Sequence, residues 1–489
     1  MLPFAVNAQL LPKEGSKLNY RLIGFSFPGH AGHSDIYKLE VASGNYNTED
    51  SFKKHIIKTL SSKEQKVIAE VPFFGTQYTW RTVNTSIKTK SSLYHFSTLT
   101  IPDVDTSTVR FRILHSAEKY KDAYVFLDGS RALYDMNGQP VWFVPDIDTS
   151  GNEDVQVHDL KISPQGTITF IRKGDIYDIN YNGDILWKGP NTGKVSGDVN
   201  EHYHHEFTRL KNGHYMVLGA IPVIQSNKNH TTDSNVIADG RKVSQNFVTS
   251  FFPRVPLGTI IEYDEQGNVV WSWRSADYYK ESDLVNYMFP DGQAHPDMHE
   301  NSFFFDENSK TIYLSSNSFS RILKIKYPEG NVINTYGEIY KPGAPVHGNK
   351  LFSSQHSVKL SQIGCLFLFN NNGENPGKPP KVKILKEPVS KDDSLKIIWE
   401  YECTTEGMEP IRFGGGGNVI ELPGNALFVS MNSPYYKVFI VNNDKHILWS
   451  AISEKWNAEE KKWDIIPQYR ASIIPGHKEL EQLIWNQEK

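Results

Sequence analysis

The residues of this chain best suited to chemistry are histidines that recur at one register. His158, His205 and His356 each stand eight residues before a glycine (Gly166, Gly213, Gly364), and the same interval links Gly416 to Gly424 and Gln468 to Gly476. His299 opens a similar stretch without the glycine. A lone histidine is ordinarily a hydrogen-bonding residue of a strand, but four at one position of a repeat would converge on one place. Neutral imidazole is a nucleophile, a proton carrier and a metal ligand near neutral pH. Two chemistries follow. One is covalent group transfer through a histidine nitrogen. The other is hydrolysis at a three-imidazole zinc site with an open water position. His202-Tyr-His204-His205 and His295-Pro-Asp-Met-His299 would add ligands to such a site. The second stretch lacks the Glu of an HExxH motif, and Pro296-Asp297 opposes the helix that motif needs. Among the four, His158 is the least suited, because Val157 and Leu160 beside it read as plain strand core.

What holds these positions is a repeat. Pro140-Val-Trp142, Ile185-Leu-Trp187, Val269-Val-Trp271, Ile397-Ile-Trp399 and Ile447-Leu-Trp449 share a pattern, with Asn331-Val-Ile-Asn334-Thr-Tyr336 as a degenerate copy. Six opening strands thus alternate with six Trp-type strands at intervals of roughly 45–85 residues, which is the signature of propeller blades. The chain enters with a Trp-type pair over 122–145 and is expected to end with an opening strand pair over 468–486, so its two ends would share one blade and remove exposed edges. Opening strands line a propeller's channel, which puts His158, His205, His299, His356, Gly416 and Gln468 around the axis. The excess between Trp187 and Trp271, at 220–256, is polar and reads as a long functional lid or excursion. The first residues read instead as short strands, such as Leu39-Glu-Val41 and Val67–Val71. Thr76–Trp80 followed by Ser91–Thr98 resembles a fibronectin type III module. The expected fold is all-β: an N-terminal β-sandwich of fibronectin III or Ig-like type over 1–112, then a six-bladed β-propeller over 113–489 closed by its first and last strands.

Composition agrees and excludes other classes. A chain of 489 residues is too long for one core. With 52 Lys+Arg against 56 Asp+Glu, the net charge of −4 gives no electrostatic reason for a nucleic-acid partner. Apolar runs never approach the ~18–20 residues of a spanning helix. The 10 Trp, 24 Tyr and 26 Phe favour strands. Only Cys365 and Cys403 occur, too few for a disulfide scaffold or a cysteine zinc module. The N-terminus lacks the charged start and apolar stretch of a secretory signal. A phosphate-binding Gly-x-x-x-x-Gly-Lys-Ser/Thr loop is absent, as is the Cys-x-Pro-x-Arg pattern of formylglycine sulfatases.

At this point the motifs carry a family resemblance. Tyr203-His-His-Glu-Phe-Thr-Arg-Leu-Lys-Asn-Gly-His-Tyr-Met-Val-Leu218, His299-Glu-Asn301 with Tyr313-Leu-Ser-Ser-Asn-Ser318, Gln355-His356-Ser and Tyr469-Arg-Ala471 resemble the bacterial arylsulfate sulfotransferases. The resemblance implies transfer of a sulfuryl group from a phenolic sulfate to a phenolic acceptor, in two steps through a sulfohistidine, with no nucleotide donor, cofactor or metal. By motif, His356 matches the nucleophile, and His205 and His299 the residues that assist it. Asn301, Asn317, Tyr469, His204 and Arg470 fall on substrate-binding positions. A periplasmic or secreted location is implied, and a homodimer is compatible. One departure stands out: Asn317 follows Ser315-Ser316 where the family has Arg, so a charge-assisted donor of about 1.5–3 kcal/mol is replaced by a neutral one. Arg321 is a poor substitute, since four strand residues shift it by about 13 Å although it points to the same face; Arg412, before Gly414-Gly-Gly-Gly417, and Arg470 are the other candidates. Besides the zinc hydrolase, a non-catalytic ligand-binding propeller with a degenerate site is the competing reading.

Overall fold

The computed structural model describes residues 9–29, 35–100, 107–147, 156–223, 235–238, 241–244, 255–279, 298–337, 351–373, 377–390, 393–405, 416–431, 433 and 435–486. Five four-stranded antiparallel sheets and the first four strands of a six-stranded one, all in meander order, make a six-bladed β-propeller. Blade 1 takes its inner strand, Ala471–Ile474, from the C-terminal end and the other three, Tyr124–Leu127, Ala132–Asp135 and Pro140–Phe143, from the start of the ring. The joint is an antiparallel register with Tyr124 opposite Ile474 and Leu127 opposite Ala471. Blades 2 to 5 open with inner strands Val157–Ile162, Phe207–Arg209, Glu300–Asp306 and His356–Leu360. Blade 6 opens with Asn418–Leu422, and its long fourth strand Ile447–Asn457 also pairs with Lys462–Ile465 and Val109–His115.

Both recurring sequence signals have a physical origin here. The glycine eight residues on closes the turn between the first and second strands. Gly166, Gly213, Gly364 and Gly424 have φ of 73°, 94°, 76° and 80°, a region costly for any residue with a Cβ. Blade 4 manages with Lys310 at φ 52°. The tryptophans stand on outer strands and clasp the next blade. Trp142 Nε1 donates to Tyr181 O at 2.8 Å, Trp271 to Pro328 O at 2.8 Å, Trp399 to Asn443 O at 2.9 Å and Trp449 to Met136 O at 3.1 Å. Each acceptor is a turn carbonyl of the following blade, with blade 6 clasping blade 1. A large ring therefore fills the interface, and its one polar atom caps a carbonyl that packing would otherwise strip of water.

The expected strand pair over 468–486 is corrected in its second half. Ala471–Ile474 is a strand, but His477–Trp485 is a helix. Its Leu480, Leu483 and Ile484 recur at helical spacing, a pattern that alternation cannot bury, and Gly476 stands at its N-cap rather than in a hairpin. The helix packs on the N-terminal strand Leu22–Ser26 so closely that a Cβ on Gly24 would lie 2.7 Å from Ile484 Cγ2.

Ahead of the ring, the strands Ser16–Leu18, Tyr94–Thr98, Gln77–Asn84, Tyr37–Ser43 and Ile56–Ser62 form one sheet, and Leu22–Ser26 pairs with Lys66–Glu70 in a two-stranded ribbon. Phe25 of the ribbon meets Trp80 and Phe96 of the sheet edge-on at 5.1 and 6.0 Å. This core runs on into blades 1 and 2 through Leu133, Trp142 and Tyr181. Arg21 ties the units together, donating to Pro140 O at 2.9 and 2.7 Å and to Pro72 O at 2.7 Å. Within the 220–256 excess, Tyr215–Val223 and Val255–Tyr263 extend blade 3, and Asn235–Ala238 pairs with Arg241–Ser244. Most of that excess, including any role as a lid, lies outside the described residues. Cys365 and Cys403 are separate buried thiols.

Candidate active site

The inner strands deliver their first residues to the axis through irregular backbone. Register shifts follow His158, Glu300 and His356. His205, His299, Asp159 and Ser357 hold φ of 59°, 49°, 57° and 55°. Left-handed conformations at non-glycine residues cost on the order of 1–3 kcal/mol and persist only where the surroundings enforce them. Bulges of this kind re-aim a side chain relative to the ladder. Here they turn several opening residues toward one end of the channel.

Three of the expected site residues meet there. The rings of His205 and His299 lie 5.0 Å apart, and those of His299 and His356 lie 6.1 Å apart. Tyr469 stands edge-on to His205 at 5.5 Å and to His158 at 5.3 Å, so His158 flanks the cluster rather than belonging only to strand core.

The hydrogen bonds assign the tautomers. Gly416 N–H donates to His356 Nε2 at 2.9 Å, which makes Nε2 an acceptor and leaves the ring proton on Nδ1, turned toward the Ser354 carbonyl. Asn317 and Asn371 amides crowd the same place, 3.3 and 2.9 Å from Nδ1, and each donates to Ser354 O at 2.9 Å. His204 Nε2 lies 3.1 Å from Gly219 O, a pure acceptor, so His204 carries its proton there. Its Nδ1 must then accept from His205 Nδ1 at 2.6 Å. The lone pair of His205 is therefore on Nε2.

Burial pushes the His205 imidazole well below the ordinary range, assisted by His204, His299, His356 and Arg470. His356 is lowered for the same first reason, then by His299 and Arg470. Both rings are neutral at neutral pH. In the unfolded chain these two histidines regain ordinary values near ~6.5. Below that pH the unfolded state binds more protons than the native state, so their contribution to stability, fully present above ~6.5, is lost as pH falls. We expect the denaturant midpoint to drop between about pH 6.5 and 5 in wild type and to drop less in the His205→Gln/His356→Gln double variant. A wild-type midpoint flat across that window would contradict the assignment.

Two expected substrate residues are occupied by the protein. The buried Asn301 amide donates to Gln355 O at 2.8 Å, bracing the peptide just before His356. Arg470 lies on the channel side away from the histidines' mouth. Its Nη1 donates to Asp159 Oδ1 at 2.8 Å and Glu206 Oε2 at 2.7 Å, and Nη2 to Asn301 O at 2.8 Å. Arg321 stacks over Tyr279 and Phe319, away from the cluster. Arg412, with Gly414 and Gly415 beside it, and His295 fall outside the described residues. His202 turns to Asp198 at 3.0 Å. Among the described residues no three His, Cys, Asp or Glu side chains are grouped to hold a metal ion.

Sequence reasoning missed Asn371, Asp159 and Glu206. The first lies just past a second strand, and the carboxylates follow opening histidines where strand polarity alone assigns no role. A cavity of about 700 Å³ opens beside Tyr469 and His158, lined also by Tyr436, Trp456, Arg131 and Gln468. Gln468 Nε2 and Tyr469 Oη make no hydrogen bond within the protein. An aromatic-walled space suits an aromatic ring.

Fold and site together define a six-bladed β-propeller with an imidazole cluster at one end of its axis. The family model of the arylsulfotransferases (ASST) matches residues 255–397, which hold His299, Asn301, Asn317 and His356. The resemblance seen in the motifs is thus borne out over that stretch, and the match supports an aryl sulfotransferase activity in the broad sense. No curated protein matches the chain. Solved structures with similarity include a protein of unknown function from Bacteroides caccae, at 12% identity, TM-score 0.41, covering 72% of this chain and 98% of that one. Others are AztD from Citrobacter koseri, at 10% identity, TM-score 0.31, covering 91% and 99%, and the Cps50 (Swd1) β-propeller domain from Myceliophteria thermophila, at 9%, 0.32, 66% and 99%.

Proposed function

We propose that the protein moves a sulfuryl group from a phenolic sulfate ester to a phenolic acceptor by a ping-pong mechanism, with His356 as nucleophile. The observation that carries this reading is the neutral His356 ring, proton on Nδ1 and lone pair on Nε2 at the axis. Nε2 attacks sulfur, the S–O(aryl) bond breaks, and its electron pair leaves on the phenolate oxygen. The sulfoimidazolium keeps its Nδ1 proton on Ser354 O, which favours the cationic ring. Attack requires the Gly416 N–H to leave the lone pair, and that freed donor then binds a sulfuryl oxygen. In the second step the acceptor oxygen attacks sulfur and the N–S bond breaks, returning the pair to Nε2. His205 Nε2 takes the acceptor's proton; charged in so buried a place, it is a strong acid that delivers the proton to the next departing phenolate. His299, between the two rings, supports the sulfuryl group.

In this reading residues 113–489 are the catalytic unit, 1–112 an accessory β-sandwich, and the location periplasmic or secreted. The test is release of a coloured phenol from para-nitrophenyl sulfate with and without phenol. Release that rises several-fold with acceptor and leaves phenyl sulfate as product is expected. Release indifferent to acceptor and abolished by a chelator would establish the zinc hydrolase instead, and no release under either condition would favour the ligand-binding propeller.

A further inference from the structure

At the other end of the axial channel, among the turns that close the inner strands, lies a second cavity of about 650 Å³. Its apolar wall includes Leu160, Leu210, Leu360 and Ile420, and its floor is a set of charged side chains from four blades. Arg470 Nη1 bridges Asp159 and Glu206. Lys161 Nζ donates to Asp159 Oδ2 at 2.6 Å and Glu206 Oε1 at 2.9 Å, and Lys359 Nζ to Glu206 Oε1 at 2.9 Å and, at a long 3.4 Å, to Phe303 O.

Three cations face two carboxylates on this floor. At the mouth, Arg209 is spent on Asp178 at 3.0 Å, so the excess of one positive charge belongs to the floor. An uncompensated charge in so enclosed a place is disfavoured unless something neutralises it. Donors are also left over. Arg470 Nη2 spends one of its two N–H groups on Asn301 O, and each ammonium, with three N–H groups, spends only two on the contacts above. A cationic floor with spare donors under an apolar wall is complementary to an oxyanion attached to an apolar body.

We propose that this cavity is a binding site for a small organic monoanion, an apolar or aromatic body with one carboxylate, sulfate or sulfonate held by Lys161, Lys359 and Arg470. A single excess charge selects a monoanion over a phosphate dianion. The site is separate from the histidine cluster and does not rest on the transfer reaction.

The test is isothermal titration calorimetry of the full chain with naphthalene-1-sulfonate, whose sulfur is bound to carbon and so reports binding alone. Saturable binding is expected. Lys359→Met, which removes a donor and the excess charge, and Ile420→Trp, which fills the cavity without touching an ion, should each weaken it about 10-fold or more. His356→Ala should leave it unchanged. Circular dichroism melts establish that the variants fold, and if Lys359→Met does not, Ile420→Trp decides alone. Absence of saturable binding, indifference to the variants, or loss on His356→Ala would overturn the proposal.

Discussion

Replacing His356 by alanine is expected to abolish sulfuryl transfer, lowering kcat on the order of 10⁴-fold or more, because it removes the nucleophile of the reading above. In that reading the neighbouring imidazoles have other roles. His205 spends Nδ1 on His204, and its lone pair is turned to proton transfer in the reading above. The pattern across variants separates a nucleophile from a merely structural residue. Wild type incubated with an aryl sulfate in the absence of acceptor should gain a single adduct of about 80 Da, the mass of SO₃, on the peptide containing His356. Adding phenol should discharge it. His205→Gln should still accumulate that adduct but discharge it slowly, since its proton acceptor is gone. Peptide mass spectrometry at neutral pH, where a sulfohistidine survives, reads all three. An adduct on another residue, or full activity in His356→Ala, would remove His356 from the role.

The second large effect is expected at Arg470. Its guanidinium joins Asp159, Glu206 and the Asn301 carbonyl, and nearly all of it is buried. Burial pushes Glu206 up, yet Arg470, Lys161 and Lys359 outweigh it and hold the carboxylate well below its usual range. Arg470→Met leaves Lys161 and Lys359 to balance the two carboxylates, but it breaks a buried ion pair and strips Asp159 Oδ1, Glu206 Oε2 and Asn301 O of their donor, which typically costs about 3–5 kcal/mol. Chemical denaturation should show that loss, and Arg470→Lys, which keeps the charge but not the planar fork of donors, should recover part of it. A structural brace alone would stop there. Arg470 also helps depress His356 and His205. Losing it should raise both imidazoles toward the ordinary value and move the acid limb of the pH–rate profile upward, so activity falls most on the acid side. An unchanged profile in a folded variant would confine Arg470 to stability.

Much of this architecture is legible in the sequence because each repeat signal reports a local constraint. A turn that needs φ near 75° calls for glycine eight residues after a strand opens. A ring that must cap the next blade's turn calls for tryptophan on the outer strand. The helix at His477–Trp485 was missed because the register that starts at Gln468 continues to Gly476, although Leu480, Leu483 and Ile484 already show the helical period. The site is legible only in part. His205, His299 and His356 are brought together, as equivalent positions of a closed ring must be, and Tyr469, one residue past the sixth such position, joins them.

What the sequence by itself determined is which residue types reach the axis, since strand register and blade order are fixed by short-range spacing. Only the tertiary structure decided what those residues touch. Asn301 turns to Gln355 O because the bulge between Glu300 and Ser302 rotates its side chain, and Arg470 turns to carboxylates that two other blades bring to it; no spacing in the chain encodes either. The same holds for the proton on His356. It is set by a glycine N–H from the next blade, 60 residues away, and a backbone donor leaves no mark in side-chain sequence.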